Sequence, residues 1–350
     1  MKAGDNSKMG EDFFKHLPSE IVVEILSRLP TRAAMACKCV CKSWLGLLAT
    51  PEFVDSHVSR SAPGIAVATC SNTFEIIEFV DELDEDHFWD VAFEFKLPFD
   101  EPIHSSVNGL TFLRDVDRGD LILCNPITRD YIKLPCPPQT TSAEELARDT
   151  FGFGVSRTTG QYKVVRVFNY HDSSKEAYKP FECQVYTVGT GLWRNVPSGS
   201  PPPLWFFDYH GGVLLNGNLH LMAKETTADD FAPSVLRDCL CLSHITADGE
   251  IVIWLMKEYG EDDSWTREVF VCKAAMGYVG EQHVWPIRVF QNGDILMEWE
   301  GKPLYYSNET KAFDYDISFR GDPSSYVSTT AYASSLVSLK NFVMENVSSF

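Results

Sequence analysis

The stretch Leu17-Pro-Ser-Glu-Ile-Val-Val-Glu-Ile-Leu-Ser-Arg-Leu-Pro30 decides how the first part of this 350-residue sequence folds. Ile21, Ile25 and Leu29 recur every four residues, which is typical of one face of a helix. Ser19 has a side chain suited to cap the start of this helix, and the final proline ends it. The stretch therefore predicts a short amphipathic helix near the amino terminus.

Three more short helices are predicted directly after the first. The second runs from about Arg32 to Cys39 with Thr31 as its cap, and a third contains Trp44. Thr50-Pro51 then caps a last helical turn. Such a small helical unit has little core of its own, so it is expected to gain stability from a partner that covers its apolar side.

The pattern of apolar residues changes after Ala62-Pro63-Gly64. Apolar stretches of five to seven residues alternate with turn signals, which predicts β-strands. No long amphipathic helix interrupts them, which disfavours a parallel α/β fold. The fold class predicted from the whole sequence is a small all-α module followed by a large all-β domain.

A repeat supports a propeller for the β domain. An apolar strand followed by a turn ending in Thr-x-x-aromatic occurs at 121–131, 185–193 and 304–313, with a weaker copy at 245–249. The repeat recurs about every 60 residues, somewhat more than the ~40–50 residues usual for one blade. Regular all-β units of this kind predict a kelch-like propeller of about five to seven blades.

The net charge of −19 is spread unevenly. Residues 1–60 hold eight Lys/Arg and seven Asp/Glu, so the remainder carries about −20. A negative field of this size repels phosphate backbones, which argues against a nucleic-acid partner. It favours either a basic partner protein or simply solubility.

The ten cysteines show no disulfide-scaffold spacing, and the first ten residues are polar, unlike a signal peptide. The apolar runs are too short to span a bilayer, so no membrane partner is expected. These features predict a reduced setting in the cytoplasm or nucleus.

Three N-terminal segments resemble the F-box. They read Leu-Pro-Ser-Glu-Ile at 17–21, Glu-Ile-Leu-Ser-Arg-Leu-Pro at 24–30 and Cys-Val-Cys-Lys-Ser-Trp at 39–44. Pro51-Glu-Phe53 and His57 follow them, as in plant F-box proteins. The segments occur in the family's order without gaps.

The rest of the chain resembles the plant F-box-associated domain, which is thought to be kelch-like and propeller-shaped. The matching segments keep their order along the chain; they are Cys124–Thr128 with Leu134–Pro135, Phe151–Gly154, Tyr162–Arg166, Leu215–His220, Trp254–Tyr259 with Ser264–Trp265, and Ser335–Leu339. The expected organisation is a disordered lead at 1–12, the F-box at 13–58, a linker at 59–64, the propeller at 65–340 and a tail at 341–350.

The resemblance implies a receptor subunit of a Skp–cullin–F-box ubiquitin ligase. The F-box would bind a Skp-family adaptor and, through it, a cullin and a RING subunit, while the β domain would recruit an unknown target. Trp44 is the expected anchor because large aromatics dominate many interfaces. The expected adaptor-binding residues are Leu17, Pro18, Ile21, Ile25, Leu26, Leu29, Pro30, Val40, Cys41, Trp44 and Leu47.

The opposite interpretation stays open, namely that Trp44 and the apolar stripe fill the module's own core. Ile25 and Leu48 are the most evenly balanced cases. Ala34 and Cys37 stand where the F-box usually has Leu and Phe. If these positions are buried, each missing side chain weakens packing by roughly 1–3 kcal/mol.

One aromatic segment is a candidate target-binding site. Pro201-Pro-Pro-Leu precedes Trp205, Phe206, Phe207 and Tyr209. In a loop at one end of the propeller these side chains would form a recognition patch. In a strand they would belong to a blade core.

No catalytic, cofactor or metal site is predicted. Cys37, Cys39 and Cys41 would point about 200° apart in successive pairs on a helix, so they cannot chelate one ion. Cys239 and Cys241 lie near His244 but lack a fourth ligand. The chain is therefore predicted to be a non-catalytic receptor. The alternatives are an F-box scaffold outside a ligase, and a propeller enzyme or glycan-binding lectin.

Overall fold

The structure is a computed structural model that describes most of the chain. The described residues are 17–61, 63–79, 91–98, 102–115, 118–138, 145–172, 177–178, 181–196, 205–206, 212–221, 223–224, 231–246, 249–271, 283–314, 317, 325–342 and 345–350.

Short helices open the described chain, as the sequence predicts. They are α1 (Ser19–Leu26), α2 (Thr31–Cys37), α3 (Lys42–Leu47) and α4 (Pro51–Val58). Thr50 caps α4, because its side chain accepts a hydrogen bond from the Phe53 amide at 3.3 Å.

Two of the predicted caps are wrong. α1 and α2 have Pro18 and Pro30 at their cap positions, and neither helix start has a side-chain cap. Ser19 and Thr31 are instead the first helical residues. The fixed φ of proline already orients the chain for helix entry, so a capping side chain is not required there.

Five blades make up the β domain of the described chain. The first combines three consecutive strands with a late one; they are β1 (Pro63–Thr69), β2 (Thr73–Glu78), β3 (Val91–Lys96) and β25 (Tyr326–Ala333). The second adds the last strand of the chain to a four-stranded meander; its strands are β4 (Ile103–Val107), β5 (Leu110–Arg114), β6 (Leu121–Asn125), β7 (Asp130–Leu134) and β26 (Val347–Ser349).

The other three blades are antiparallel meanders. The third contains β8 (Glu145–Val155), β9 (Tyr162–Asp172), β10 (Ala177–Tyr178), β11 (Glu182–Thr187) and β12 (Trp193–Val196). The fourth contains β17 (Ala232–Leu236), β18 (Cys239–Ile245), β19 (Glu250–Met256) and β20 (Trp265–Val271). The fifth contains β21 (Val284–Val289), β22 (Ile295–Trp299), β23 (Lys302–Ser307) and β24 (Ala312–Asp314). This confirms the predicted class of a helical module followed by a propeller-like all-β domain.

A hairpin lies between the third and fourth blades. Its short strands are β13 (Trp205–Phe206), β14 (Val213–Leu215), β15 (Asn218–His220) and β16 (Ala223–Lys224), paired as β13 with β16 and β14 with β15. Strand β14 contacts both β8 and β17. The hairpin therefore fills the space between two blades.

Alternation in β8 explains the Phe-Gly-Phe-Gly motif at 151–154. A Cβ atom at Gly152 would lie 2.5 Å from the Leu219 side chain, so the hairpin needs a glycine there to approach β8 closely. On the opposite face, Phe151 and Phe153 are buried in the core between the second and third blades. The motif therefore serves packing on both faces of one strand.

The ring is closed by the end of the chain. Strand β25 pairs antiparallel with β1, so residues 326–333 complete the first blade. Strand β26 pairs with β7, which differs from the expectation that 341–350 form a tail. Glu345 reinforces this attachment, because its carboxylate accepts hydrogen bonds from the Tyr186 hydroxyl at 2.5 Å and the Gly189 amide at 2.8 Å.

A buried ion network joins the second and third blades. Asp149 in β8 accepts a hydrogen bond from Arg114 of β5 at 2.5 Å and two from Arg166 of β9 at 3.0 and 3.1 Å. The three side chains are only 7–11% exposed. Both guanidinium groups also lie over the Phe151 ring, at 4.7 and 5.9 Å from its centroid. The charges are thus paired and shielded from water.

The helical module and the first two blades share one hydrophobic core. Leu26, Leu48 and Phe53 of the module are at most 3% exposed and belong to the same cluster as Tyr332 and Leu336. Ser61 also donates a hydrogen bond to the Ser334 carbonyl at 2.8 Å. The module therefore packs directly on the propeller, although the sequence suggests a linker at 59–64, whose last two residues begin β1.

No helix among the described residues is long and apolar enough to cross a bilayer.

Candidate functional site

Helix α1 exposes apolar side chains on a face next to the one that contacts the core. Val22 and Leu26 are buried at 4% and 3%, whereas Ile21 and Ile25 are 46% and 43% exposed. Ile21 and Ile25 are one helical turn apart and thus lie on the same face. Burial of one apolar face already anchors the helix, so the second face is available for a partner.

Two further large apolar side chains of the module are exposed. Val40, in the turn between α2 and α3, is 63% exposed, and Leu45 in α3 is 51% exposed. With Ile21 and Ile25 they make up half of the eight large exposed hydrophobic side chains in the described chain. We call these four residues the apolar face of the module. Their concentration in a module of about 45 residues is typical of a protein-binding surface.

The structure divides the predicted adaptor-binding residues into three groups. Ile21, Ile25 and Val40 lie on the apolar face, and Pro18, Pro30 and Cys41 are also exposed. The partly buried residues pack against the shared core; they are Leu17, Leu29, Trp44 and Leu47. Leu26 requires a correction, because it is 3% exposed and fills the core of the module's own chain.

Trp44 thus has a dual environment. Its side chain is partly buried against the shared core. Its backbone amide donates to the Cys41 sulfur at 3.5 Å, which caps α3. Part of this side chain supports the fold, as the alternative interpretation of the sequence proposed, and only its exposed part is available to a partner.

Leu45 is a candidate that the sequence analysis missed. Its apolar neighbours Trp44, Leu47 and Leu48 all face the core to some degree. Leu45 lies outside the helix face that these three residues form. Its position could have identified it, since an apolar residue on the polar side of a helix is a sign of an interface.

The two positions that depart from the F-box pattern both contact the core. Ala34 is fully buried, and Cys37 is partly buried against the same cluster. Helix α2 ends at Cys37, so Cys39 and Cys41 lie in the following turn and not on the helix predicted to reach Cys39. The described residues contain no group of three His, Cys, Asp or Glu side chains arranged to hold a metal ion.

A short ion-pair cluster joins the two ends of the module. Glu24 of α1 accepts hydrogen bonds from Arg28 at 2.5 Å and from Arg60 at 2.7 Å. Both hydrogen bonds lower the pKa of the Glu24 carboxyl, and the one from Arg28 has the larger effect. Because the cluster is exposed to solvent, it orients side chains but adds little stability.

His57 connects α4 to the end of α1. Its ring is 2% exposed, with Nε2 at 3.1 Å from the Leu29 carbonyl and Nδ1 at 3.3 Å from the Ser61 hydroxyl. Burial lowers the pKa of this imidazole below its ordinary value of 6.5, since a charged ring is poorly solvated there. The neutral ring is therefore the form that fits the module.

This burial predicts an acid-sensitive module. Because the folded-state pKa of His57 is depressed, its stabilising contribution is fully present above pH ~6.5 and is lost as the pH falls through the folded-state pKa. We expect the unfolding free energy to drop between pH 7.5 and pH 5.5, and to drop less in His57→Gln. Denaturant titrations of both proteins at the two pH values measure this, and an equal drop in both would contradict the role of His57.

The predicted target-binding segment is only partly described. Trp205 and Phe206 form β13 and pair with Lys224 and Ala223. This agrees with the strand alternative for this segment. Phe207 and Tyr209 lie outside the described residues.

Two family comparisons match this architecture. Residues 14–59 match the F-box-like family, and residues 74–237 match the F-box associated beta propeller domain. These spans include all four helices and run from the first blade into the fourth.

Several curated relatives cover nearly the whole chain. F-box protein At3g07870 of Arabidopsis thaliana is 25% identical and covers 91% of this chain and 91% of its own length. F-box protein CPR1 is 24% identical over 92% of this chain and 88% of its own, and F-box/kelch-repeat protein At3g23880 is 23% identical over 88% and 92%, both from the same plant. Helical module and propeller therefore occur together in these relatives.

Proposed function

Since this chain is a plant F-box protein with a C-terminal F-box-associated domain, we propose that it is the substrate-recognition subunit of a Skp–cullin–F-box ubiquitin ligase. An F-box implies binding to a Skp1-type adaptor in general, and F-box proteins are typically non-catalytic adaptors. In the proposal, the module binds the adaptor that connects it to the cullin and RING subunits, and the propeller binds the target.

The apolar face of the module is the observation that carries this proposal. Helix α1 already has a buried side, and the exposed Ile21 and Ile25 lie outside the hydrophobic core shared by the described helices and blades. Apolar helix faces of this kind bind hydrophobic grooves of partner proteins. Val40 and Leu45 extend the apolar area that such a groove would cover.

The shared core supports the second half of the proposal. A receptor accelerates ubiquitin transfer by holding a target lysine close to the activated ubiquitin, which raises the effective concentration of the reactants. This effect depends on a fixed distance between the adaptor-binding and target-binding ends. Packing of Leu48 and Phe53 against the same cluster as Tyr332 provides that fixed relation.

The proposed target is a protein that carries basic groups. Residues beyond position 60 have a net charge of about −20, so the propeller attracts Lys- and Arg-rich partners and repels nucleic acids. The proposal places the protein in the cytoplasm or nucleus, where the other ligase subunits would be met.

Affinity purification of the full-length chain from plant cells tests the proposal. We expect a Skp-type adaptor and a cullin to co-purify, and we expect both to be lost with Ile21→Gln combined with Ile25→Gln. Recovery of the adaptor without any cullin would favour a scaffold outside a ligase, and recovery of neither would overturn the proposal. Point variants are preferable to deletion of the module, because deletion would expose the shared core on the first two blades.

A further inference from the structure

A cavity of about 360 Å³ with mixed polar and apolar walls lies at the centre of the propeller. Its walls come from β25, β4, β8, β17 and β21, one strand from each blade, together with β14 of the inserted hairpin and Glu298 of β22. Its volume falls near the lower end of the range of ~300–1,000 Å³ typical of small-molecule sites. A single extended side chain or a small free ligand is the size of occupant that fits.

The wall combines aromatic, hydroxyl and carboxyl groups. Trp285 contributes aromatic surface, and Ser106 and Thr330 are among several hydroxyl-bearing residues. The described lining residues include no lysine and no arginine. Phosphates and carboxylates are normally bound by such cations, so the wall is poorly suited to an anion.

Glu298 is the acidic group of this wall. Glu298 is only 1% exposed, and its Oε1 accepts a hydrogen bond from the Gly301 amide. Burial raises the pKa of this carboxyl to about 8, with a further raising contribution from Glu300, while the Gly301 hydrogen bond acts in the opposite direction. A carboxyl held this way is suited to ionise when a cation arrives.

Glu298 lies next to residues of neighbouring strands. Strands β21 and β25 contribute Trp285 and Thr329 to the cavity wall, and Pro303 of β23 pairs with Glu298 in the sheet. His104 of β4 is the other titratable side chain among the described lining residues. A protonated His104 would repel a cation, so both groups favour cation binding at higher pH.

We propose that this cavity binds an alkylammonium or guanidinium group, with Glu298 as its counter-ion and the Trp285 ring beside its methylene chain. Aromatic faces attract organic cations, and the net charge of about −20 beyond residue 60 raises their local concentration. The source is either a free small amine or a lysine or arginine side chain of a bound protein. Only the second source rests on the proposed function of target recognition.

Calorimetric titration of the full-length protein with matched probes tests the chemistry. We use Nα-acetyl-lysine methylamide and agmatine as cations, and the methylamide of N-acetyl-2-aminoheptanoic acid, in which a methyl group replaces the lysine ammonium, as a neutral isostere of the lysine probe. We expect the cations to bind at least tenfold more tightly than the isostere. Equal binding of the isostere, or no binding of either cation, would overturn the proposal.

The pH dependence gives a second readout that needs no variant. If binding requires ionised Glu298 with a pKa of about 8, the association constant rises about tenfold from pH 6 to pH 7 and about fivefold from pH 7 to pH 8. His104 adds to this trend only in the same direction. An affinity that is flat or falls with pH would overturn the assignment of Glu298.

Glu298→Gln and Glu268→Gln form a matched pair. Glu268 lies on the outer strand β20 beside Arg237 and Lys257, so its replacement should leave binding unchanged. Glu298→Gln should weaken cation binding at pH 8 at least tenfold and leave only the pH dependence due to His104. Unchanged binding in Glu298→Gln would overturn the proposal. If that variant does not fold, the proposal is decided on the wild-type protein, by the comparison of cationic with neutral probes and by the pH dependence of binding.

Adding agmatine while the protein captures its target separates the two sources of the cation. Binding of free agmatine without any effect on target capture supports a small-amine site, whereas competition between agmatine and the target supports a basic side chain in the cavity. Adaptor binding by the module is unaffected in either case. Failure of the cavity proposal therefore leaves the ligase proposal standing, and loss of adaptor binding leaves the cavity proposal standing.

Discussion

Replacing Ile21 and Ile25 together by glutamine should weaken adaptor binding by about ten- to a hundredfold. Each side chain is nearly half exposed on one face of α1, and a partner groove would cover this exposed half. Full burial of an apolar side chain of this size contributes roughly 1.5–3 kcal/mol, and about 1.4 kcal/mol corresponds to a tenfold change in affinity. Loss of two half-buried contacts of this kind therefore removes about 1.5–3 kcal/mol.

The substitution is chosen to leave the fold intact. Glutamine is a good helix former and carries no charge, and exposed helix positions usually change stability by within ~0.5 kcal/mol. Trp44→Ala would be a poorer test, because Trp44 packs partly against the shared core and its loss would also weaken the module.

Leu192→Gln provides the control. Leu192 is 70% exposed in the turn before β12, far along the chain from the module, and its replacement removes a similar apolar surface. Surface-binding measurements with a purified Skp-type adaptor should show wild-type affinity for Leu192→Gln. Wild-type affinity for the double variant as well would mean that the adaptor docks elsewhere.

Asp149→Ala is expected to lower the free energy of unfolding by about 3–5 kcal/mol. Asp149 is the one carboxylate among the described residues shown bonded to both Arg114 and Arg166, and all three side chains are about 90% buried. Its removal takes the Asp149 carboxylate away from two buried guanidinium groups, and breaking a buried ion pair in this way typically costs that amount.

Asp120→Ala is the matched comparison for this effect. Asp120 pairs with Lys133 at 2.7 Å, but the two side chains are 33% and 58% exposed. An exposed pair contributes only about 0–1 kcal/mol. Denaturant unfolding followed by tryptophan fluorescence should therefore separate the two variants clearly, and similar losses for both would show that the buried network is not a main support of the second and third blades.

All four copies of the repeat lie at blade hairpins, and three of them lie at the same turn. The copies at 121–131, 185–193 and 304–313 coincide with the turns β6–β7, β11–β12 and β23–β24, the last turn of each meander. The turns need residues at positive φ, which Arg129, Gly189 and Lys311 supply. The same local chemistry therefore recurs wherever the same turn is built.

The fourth copy shows the limit of such a pattern. Residues 245–249 lie between β18 and β19, the second turn of the fourth blade. Thr, Asp and Gly suit many tight turns, so a turn signal alone does not give the position of a strand within a blade. The blade count consequently could not be fixed from the spacing of the repeat.

The exposed side of α1 was predictable from the sequence, but its extent was not. A period of four residues placed Ile21 and Ile25 on one face, with Leu26 beside them. Only tertiary packing decides that Leu26 faces inward. The central cavity was out of reach, because Ser106, Trp285 and Glu298 are brought together only by closure of the ring.

The joint core of module and propeller has a consequence for synthesis. The module is translated before the propeller, so Tyr332 and Leu336, with which it shares a core, are made long after the helices. A product that stops before residue 326 therefore lacks both the strand that closes the first blade and part of the core on which the helices pack. We expect the module to be less stable in such a truncated product than in the full-length protein.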